Sequence, residues 1–543
     1  DLEETYFVKD SELLATESLP QGLDLVKHYI AQYPLEGRTK PRARDEFIRL
    51  FNEGAVLLTY VGHGNPETLA HEHMFLLSRD FGAIANGRRL PFVYTAASQI
   101  GVFDDPVRAA MPELMLKKSD GGIIGMISAT RVGFHATNMV LARAFHEQMY
   151  RSGRSHVPLG QALTEAKRLI WDKLTPQGRI IVQRYALIGD PATRLALPPY
   201  GVELEVADTL RALAEIQIQG RVLTAEGKPA TTYSGQALVQ AFDSSVGSFF
   251  PTPGKNTKLD KLPYEKMGGP LFRGLFPVQK GRFEAAFRVP KDITYRGVNG
   301  RISAYLWAEG WPAAFGAVEG LSLAGTAEEV IADHQGPRID IGFAGQEPFQ
   351  TGSFVPRHPL LRTAIWDESG INVTGETGHE IVLYIDEITY PVTRFFTSTR
   401  GDYRGGILEY LLPELTPGPH VIGLKAWDTF NNSARTQVEV QVGEGGITLL
   451  SDLLFHPNPL RGNRGHFTYN LLAPASAVQI HVFSLGGKQV DELEGTTQLG
   501  YNQIEWKPDE NLANGTYLYR IQVSDEAEKA KKVQKFAPLQ IIK

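Results

Sequence analysis

The run of residues 55–64, AVLLTYVGHG, places the strongest constraint on the fold of this chain. Its apolar part has no polar alternation and lies between Gly54 and Gly62, which is typical of a strand buried on both faces of a parallel sheet. His63 follows this strand directly, and open α/β sheets bind ligands at the carboxyl ends of their strands. A loop histidine with a purely structural role would fit the same residues.

A second apolar run, residues 90–98 with the sequence LPFVYTAAS, ends at a residue with a nucleophilic side chain. If both runs are neighbouring buried strands, they deliver His63 and Ser98 to the same edge of one sheet. A base beside a nucleophile is the arrangement that covalent catalysis needs. The two runs together therefore favour an active site at this edge.

The strand ends His63-Gly64 and Ala97-Ser98 resemble the peptidase clan of caspases, legumains and gingipains, in which one buried strand ends in His-Gly and another in Ala-Cys. Further motifs resemble the gingipain-type subfamily, in particular the C-terminal signal peptidases of the type IX secretion system. These motifs are FDDP at 103–106, GGII at 121–124, TR at 130–131 and LIGDP at 187–191.

The resemblance implies that His63 assists the nucleophile at position 98, and that the backbone N–H groups of Gly64 and Ser98 form an oxyanion hole. A serine stands where the family has cysteine. A hydroxyl is harder to ionise than a thiol, and its oxygen lies closer to the backbone than a sulfur would. We therefore expect this chain to be inactive or severely impaired, with an active serine peptidase as the alternative.

A serine enzyme needs a third group that orients its histidine. Glu72 is one candidate for this role, and Gln99 and Asp104 are further candidates that would orient the histidine or line the substrate cleft. The chain contains no cysteine, which excludes disulfides and thiolate metal sites. An engineered Cys-to-Ser change and a natural pseudo-peptidase would both produce such a sequence.

The bulk composition excludes several classes of function. The formal net charge of the 543 residues is −6, and no basic run exceeds a short cluster such as that at 529–532. A nucleic-acid partner therefore has no electrostatic support. No apolar run reaches the roughly 18 residues of a transmembrane helix. No signal peptide is visible at residue 1, and we expect the first half of the peptidase domain to precede it.

The pattern of predicted secondary structure changes near residue 198. Residues 1–197 predict part of a caspase/gingipain-like α/β domain, with helices at 23–33 and 42–51, a third buried strand within 121–130 and two later amphipathic helices. Short alternating strands then predict three all-β, Ig-like sandwich domains at 198–335, 336–445 and 446–543. Residues 249–274, rich in Pro, Gly and Lys, are predicted to be a surface insertion.

The resemblance extends into these β domains. The stretch DESGIN at 367–372, the pair GH at 378–379 and the corner at 427–432 are similar to the same signal peptidases. In the last domain, HPNP at 456–459 and NGTY at 514–517 resemble the C-terminal sorting domain of type IX cargo, and Asn514-Gly515 predicts a tight turn between paired strands. A generic Ig-like accessory module is the alternative for this domain.

The resemblance implies a peptidase and transpeptidase on the extracellular face of the outer membrane. It would remove C-terminal sorting domains from secreted cargo and transfer the cargo to a lipopolysaccharide. Its implied partners are an outer-membrane β-barrel shuttle protein of the PorV type, cargo sorting domains and the lipopolysaccharide acceptor. The rival hypotheses are a catalytically silent scaffold of the surface attachment complex and a secreted adhesin or carbohydrate binder.

We expect no cofactor, and calcium is the cation to consider because it occurs in gingipain relatives. His71 and His73 are two residues apart but have no third ligand in view, so we expect them to flank the cleft. Asp104 and Asp105 fit a turn held by side-chain hydrogen bonds better than a cation site. The aspartates of the third domain are interpreted as turn residues at sandwich edges; they are Asp367, Asp386 and Asp428.

Overall fold

The structure, a computed structural model, describes residues 6–19, 22–150, 157–249, 263–330, 332–344, 349–376, 378–399, 401–442, 451–471, 475–498, 500–524 and 533–542. Residues 250–262 of the predicted insertion and the basic cluster at 529–532 lie outside these ranges. The prediction of an insertion is wrong for the residues that follow, because Pro263–Lys266 and Pro270–Val278 form strands of the first β unit. The described buried apolar residues group around separate cores, which define one α/β unit and three β units.

The α/β unit is built on a four-stranded sheet of order β1-β4-β5-β6. Strands β1, β4 and β5 are parallel and β6 is antiparallel to β5. A small hairpin of β2 and β3 leaves β1. The strands are β1 (Leu57–Val61), β2 (Thr68–Leu69), β3 (Phe75–Leu76), β4 (Phe92–Ala96), β5 (Gly125–Ala129) and β6 (Tyr185–Gly189).

Burial differs between these strands. All residues of β4 and β5 are buried, whereas those of β1 are only half-buried. The prediction that β1 is covered on both faces is therefore wrong. In the described part of the chain β1 lies at the edge of the sheet, where fewer neighbours cover its residues.

The sheet lies between two layers of helices. Residues Phe92, Tyr94 and Ala96 of β4 contact the core formed with α5, α6 and α7, while Val93 contacts the core formed with α2 and α4. The helices are α1 (Tyr6–Leu13), which continues as a π turn (Leu14–Ser18), α2 (Pro41–Glu53), α3 (Leu77–Asp80), α4 (Met111–Leu116), α5 (His135–Tyr150), α6 (Leu159–Trp171) and α7 (Pro176–Gln183), with 3-10 turns at Ile30–Gln32 and Phe81–Ala83.

The helix predicted at 23–33 is wrong, because this segment contains only the short 3-10 turn from Ile30. The segment is an extended strap along the first β unit. Asp24 pairs with the buried Arg301, and the ring of Tyr29 packs edge-on against Tyr264 at 5.4 Å. These contacts with other units outweigh the weak helical pattern of the segment.

The first β unit surrounds a single apolar core. Its main sheet has the order β14-β9-β7-β16-β15-β10-β13, β8 pairs with β16, and β11 and β12 form a separate ribbon. The strands are β7 (Tyr200–Glu205), β8 (Thr209–Ala212), β9 (Glu215–Leu223), β10 (Gly235–Phe242), β11 (Val246–Phe249), β12 (Pro263–Lys266), β13 (Pro270–Val278), β14 (Arg282–Arg288), β15 (Gly297–Ala308) and β16 (Trp311–Thr326).

The second β unit packs the strands β22-β23-β19-β17 against a sheet of order β18-β25-β24-β20-β21. One parallel pair, Gly274 with Ser398, joins β22 to β13 and so continues the sheet of the first β unit. The strands are β17 (Arg338–Asp340), β18 (Phe354–Val355), β19 (Leu360–Trp366), β20 (Val382–Ile385), β21 (Ile388–Pro391), β22 (Phe396–Ser398), β23 (Gly405–Leu411), β24 (Gly418–Trp427) and β25 (Ser433–Val442), with a 3-10 turn at Thr393–Phe395.

In the third β unit, a sheet of order β26-β27-β30 packs against a sheet of order β29-β28-β31-β32. The tight turn predicted at Asn514-Gly515 is not a hairpin, because β30 and β31 belong to different sheets and the chain crosses between them. The strands are β26 (Ser451–His456), β27 (Gly465–Leu471), β28 (Ala477–Ser484), β29 (Gln489–Glu494), β30 (Gly500–Trp506), β31 (Gly515–Ser524) and β32 (Val533–Ile541).

Polar contacts join the α/β unit to the first two β units. Arg301, 7% exposed, donates to the carbonyl of Gly22 at 2.6 Å besides its pair with Asp24. Arg394 of the second β unit pairs with Glu53 of α2 at 2.9 Å. Among the described helices, none is long and apolar enough to cross a membrane. The predicted multidomain, β-rich fold is confirmed.

Candidate active site

The register of β1 and β4 places His63 and Ser98 at the same level. Val61 and Ala96 are the last partners in this parallel pair. His63 and Ser98 each lie two residues beyond them. They therefore leave adjacent strands at the carboxyl edge of the sheet. This is the position at which open α/β sheets present catalytic groups.

A close approach between the two loops depends on Gly64. A Cβ atom at this position would lie 2.7 and 2.8 Å from two side-chain carbons of Ile100 and 3.3 Å from Cβ of Ala97. Any larger residue would push the loop of His63 away from the loop of Ser98. The glycine is thus required by packing between the strand ends, independently of any catalytic role.

Backbone and ring contacts both fix His63. Its carbonyl accepts hydrogen bonds from the Tyr60 hydroxyl at 2.5 Å and from the Ala70 N–H at 3.0 Å. Its ring meets Phe7 edge-on, with the centroids 5.0 Å apart, and stacks on His71 at 4.5 Å with an interplanar angle of 14°. Helix α1 and the hairpin after β1 therefore enclose the imidazole.

The Ser98 hydroxyl is bound to the loop that follows β5. It donates to the Gly133 carbonyl at 3.3 Å and accepts from the Gly133 N–H at 3.1 Å. The next residue, Gln99, has a φ of +57°, a left-handed conformation that costs energy outside glycine and is common at active sites. The half-buried serine is thus seated at a sharply turned strand end, with its hydrogen directed at a backbone carbonyl.

The loop carrying Gly133 is held by ion pairs. Arg131 binds Asp104 through two hydrogen bonds of 2.7 and 2.8 Å, and Arg184 donates to the Val132 carbonyl at 2.6 Å. The hydrogen bonds from the Arg131 guanidinium hold the pKa of Asp104 below its ordinary value. Asp104 therefore lies at the rim of the site, where it links the loops that follow β4 and β5.

Asp105 has a different set of partners. It accepts from the Val107 N–H at 2.9 Å and pairs with Arg108 at 3.0 Å. This is the side-chain-to-backbone hydrogen bond of an Asx turn. Arg108 also pairs with Glu67 at 3.3 Å. Each aspartate of the FDDP motif therefore pairs with an arginine, Asp104 with Arg131 and Asp105 with Arg108.

Glu72 is directed into the α/β unit. It is 5% exposed, and its carbonyl accepts from the N–H of Lys40, which is itself 2% exposed. Burial raises the pKa of Glu72, and the nearby charge of Lys40 lowers it. The ring that stacks on His63 belongs instead to the neighbouring His71.

The sequence reasoning missed the contacts that Phe7, His71 and Gly133 make with the predicted pair. The signal for His71 was present, since Asn65-Pro66 is a turn signal. A hairpin around that turn returns the chain to His63 at Ala70, one residue before His71. Phe7 and Gly133 reach the site through tertiary packing that no local pattern indicates.

The Gly64 N–H points away from its hairpin. The Asn65 N–H donates to Thr68 at 3.0 Å and the Ala70 N–H donates to His63 at 3.0 Å, so Gly64 and Leu69 form a pair without mutual hydrogen bonds. An N–H in this position is directed out of the hairpin, as an oxyanion donor must be.

A separate acidic group lies in the second β unit. Ligand atoms of Asp333, Asp367 and Asp428 lie within 4.8 Å of one another, and in the described ranges no other group of three or more such residues could hold a metal ion. Burial and the two neighbouring carboxylates raise the pKa of Asp367 to about 6. The expected turn contacts are present too, because Asp367 accepts from the Ser369 N–H at 2.8 Å.

The other residues considered for metal binding lie elsewhere. His71 and His73 belong to no such group among the described residues. Asp386, at another edge of the second β unit, binds His420 at 2.7 Å and the Val421 N–H at 2.9 Å. The carboxylate group of Asp333, Asp367 and Asp428 is far in sequence from the strand ends that carry His63 and Ser98.

The close approach at Gly64 predicts a specific double-mutant result. Gly64→Ala should lower the free energy of unfolding by about 1–3 kcal/mol because its methyl group overlaps Ile100. This cost should shrink in an Ile100→Ala background, where the overlapping atoms are gone. The measurement is urea unfolding of all four variants. Gly82→Ala, at a site with no atom within 4 Å, is the matched control, and equal costs of Gly64→Ala in both backgrounds would contradict the account.

The carboxylate group predicts a pH-dependent stability. The folded-state pKa of Asp367 is about 6, above its unfolded value, so its protonated form stabilises the fold at about pH 4 and this contribution is lost as pH rises through 6. Asp367→Asn should therefore add stability at pH 8, by about 3 kcal/mol at most, and little at pH 4. Unfolding in chelator-containing buffer at both pH values measures this.

The matched control for this prediction is Asp386→Asn. Burial opposes the shift, but hydrogen bonds from the Val421 N–H and His420 lower the pKa of Asp386, so its ionised form stabilises the fold. Its replacement should lower stability at neutral pH, opposite in sign to Asp367→Asn. A loss of stability at pH 8 with Asp367→Asn would show that the three carboxylates do not repel.

Comparisons with solved structures show the following similarities. The chain is 25% identical to dimeric latent PorU from Porphyromonas gingivalis over 78% of this chain and 41% of that chain, with a TM-score of 0.32. It is 12% identical to the surface glycan-binding protein SGBP-B of Bacteroides ovatus, over 63% of this chain and 66% of that chain, with a TM-score of 0.20. The chain thus spans less than half the length of PorU.

A comparison with curated proteins finds no match. The family model described as "Peptidase family C25" matches residues 5–196, which include both strand ends and the loop of Gly133. The gingipain-type resemblance of this region is thereby confirmed at the level of the family. Residues 5–196, the α/β unit of this chain, are thus similar to peptidase family C25.

Proposed function

We propose that this chain belongs to a PorU-like peptidase that removes C-terminal sorting domains from secreted cargo and transfers the cargo to a lipopolysaccharide. The observation that carries the proposal is the shared level of His63 and position 98 at adjacent strand ends of a domain similar to family C25. Its place of action is the extracellular face of the outer membrane. Its partners are a β-barrel shuttle protein of the PorV type, cargo sorting domains and the lipopolysaccharide.

The proposed reaction follows from the positions of these groups. With cysteine at position 98, the His63 imidazole accepts the thiol proton and the thiolate attacks the scissile carbonyl carbon. The carbonyl oxygen gains negative charge, which the N–H groups of Gly64 and residue 98 stabilise. The amine of the sorting domain then leaves with the proton from His63. Water or an amine of the acceptor attacks the thioester and releases the cargo.

Serine at position 98 interrupts this sequence at its first step. The Ser98 hydroxyl donates its hydrogen to the Gly133 carbonyl, so proton transfer to His63 would require the hydroxyl to rotate. An alkoxide is also formed far less readily than a thiolate at neutral pH. We therefore propose that the chain as given cleaves cargo slowly or not at all.

A catalytically silent scaffold of the surface attachment complex is the second candidate. Its support is the seat of Ser98, whose hydroxyl both donates to and accepts from Gly133. A side chain satisfied in this way fits a purely structural serine. In that case the β units would supply the function by binding partner proteins.

Restoring the thiol separates these possibilities. Three forms expressed from the complete gene, the parent with Ser98, Ser98→Cys and Ser98→Cys/His63→Ala, are incubated with cargo that bears a sorting domain. Release of the domain is scored by intact mass. We expect cleavage with Ser98→Cys alone, and the double variant should lose it by at least about 100-fold.

The other outcomes decide between the rivals. Cleavage by the parent at a comparable rate would indicate a serine peptidase. Cleavage by none of the folded proteins would favour the scaffold. Circular dichroism of each variant is the control for folding.

A further inference from the structure

We propose that His71 is a positioning residue for His63, which it holds in its working orientation by ring stacking. This inference rests on the proposed function, in which His63 transfers protons. It assigns the orienting role to an aromatic ring instead of to the carboxylate of Glu72.

The geometry of the ring pair supports the assignment. The imidazoles of His63 and His71 are 14° from parallel, with their centroids 4.5 Å apart, which is the lower end of the range for stacked aromatic pairs. Phe7 contacts the same His63 ring edge-on at 5.0 Å. Stacking on one side and an edge contact from another limit rotation of the His63 ring.

The backbone of the hairpin turns His71 toward His63. Ala70 and His73 have φ values of +63° and +54°, so the two left-handed residues flank the pair His71-Glu72. Such conformations cost about 1–2 kcal/mol each for non-glycine residues and persist where the surrounding structure imposes them. Here the Ala70 N–H is bonded to the His63 carbonyl, which ties the turn directly to the residue that it positions.

Glu72 and His71 are directed to opposite sides of this turn. Glu72 is buried beside Lys40, whereas His71 is exposed at the surface of the site. Burial raises the pKa of the neighbouring Tyr60, and the charge of Glu72 raises it further. Tyr60 donates to the His63 carbonyl, whereas His71 contacts the His63 ring.

Stacking is chemically suited to this reaction. A carboxylate that orients a histidine occupies one of its two ring nitrogens, as in the Ser-His-Asp enzymes. A stacked ring acts on the face of the imidazole and leaves the choice of nitrogen partners to the substrate and the nucleophile. A thiol nucleophile, which ionises more readily than a hydroxyl, depends less on a carboxylate behind the base.

The test uses His71→Ala and His71→Phe in the Ser98→Cys protein, with His358→Ala, a change at an exposed histidine of the second β unit, as the matched control. His71→Ala should lower kcat by about 10- to 100-fold with little change in KM, because the base is less well oriented but the substrate still binds. His71→Phe should restore most of the rate because a phenyl ring also stacks. His358→Ala, which lies outside the α/β unit, should leave the rate unchanged.

A second measurement does not need activity. In the Ser98 protein with carbon-13-labelled histidine, removing the stacked ring with His71→Ala should shift the His63 ring resonances, while His358→Ala should not. If Ser98→Cys fails to cleave cargo, the proposed function fails, yet this spectrum still decides whether the His71 ring stacks on His63, on which the positioning role depends. Unchanged His63 resonances, or a His71→Phe protein as slow as His71→Ala, would overturn the assignment.

Discussion

The parallel pairing of β1 with β4 is the constraint on which the rest of the site depends. It sets His63 and Ser98 at one level, and Gly64 then allows their loops to come into contact. The register cannot slip by one residue without exchanging Val93 and Tyr94 between the two cores that cover β4. The packing that stabilises the α/β unit therefore also fixes the relative position of base and nucleophile.

Three connections assemble the site, and each follows one strand of the sheet. The connection after β1 brings His63 and the ring of His71, the one after β4 brings Ser98 and Asp104, and the one after β5 brings Gly133. The ion pair between Asp104 and Arg131 links the last two connections at the rim. Such exposed pairs add little stability, so this pair matters chiefly for the relative placement of the loops.

The sequence predicted these strand ends because buried strands and their terminal motifs are local patterns. Both runs, ending at His63 and Ser98, were recognised by apolar composition, and the first also by its flanking glycines. The helix predicted at 23–33 failed because Asp24 and Tyr29 bind the first β unit, and such tertiary contacts leave no periodic signal. The half-burial of β1 was equally invisible, since it follows from the position of the strand in the sheet.

Some residues of the candidate site were likewise predictable from local sequence patterns, and others were not. His63 and Gly64 stand in a recognisable motif, whereas the burial of Glu72, whose carbonyl accepts from the N–H of Lys40 32 positions earlier, is a tertiary feature. Glu72 was a candidate orienting group although only the geometry of the fold could bring it near His63. The left-handed turn from Ala70 to His73 sends that carboxylate inward and presents His71 to His63 instead.

The chain contains no cysteine, so a thiol placed at position 98 can be followed alone. The most direct measurement is the rate at which iodoacetamide alkylates Ser98→Cys at pH 6, compared with the rate for Ser98→Cys/His63→Ala. If the strand register makes His63 and residue 98 a working pair, the first protein should react at least about 10-fold faster, because the imidazole promotes thiolate formation. Equal rates for the two folded proteins would contradict the account.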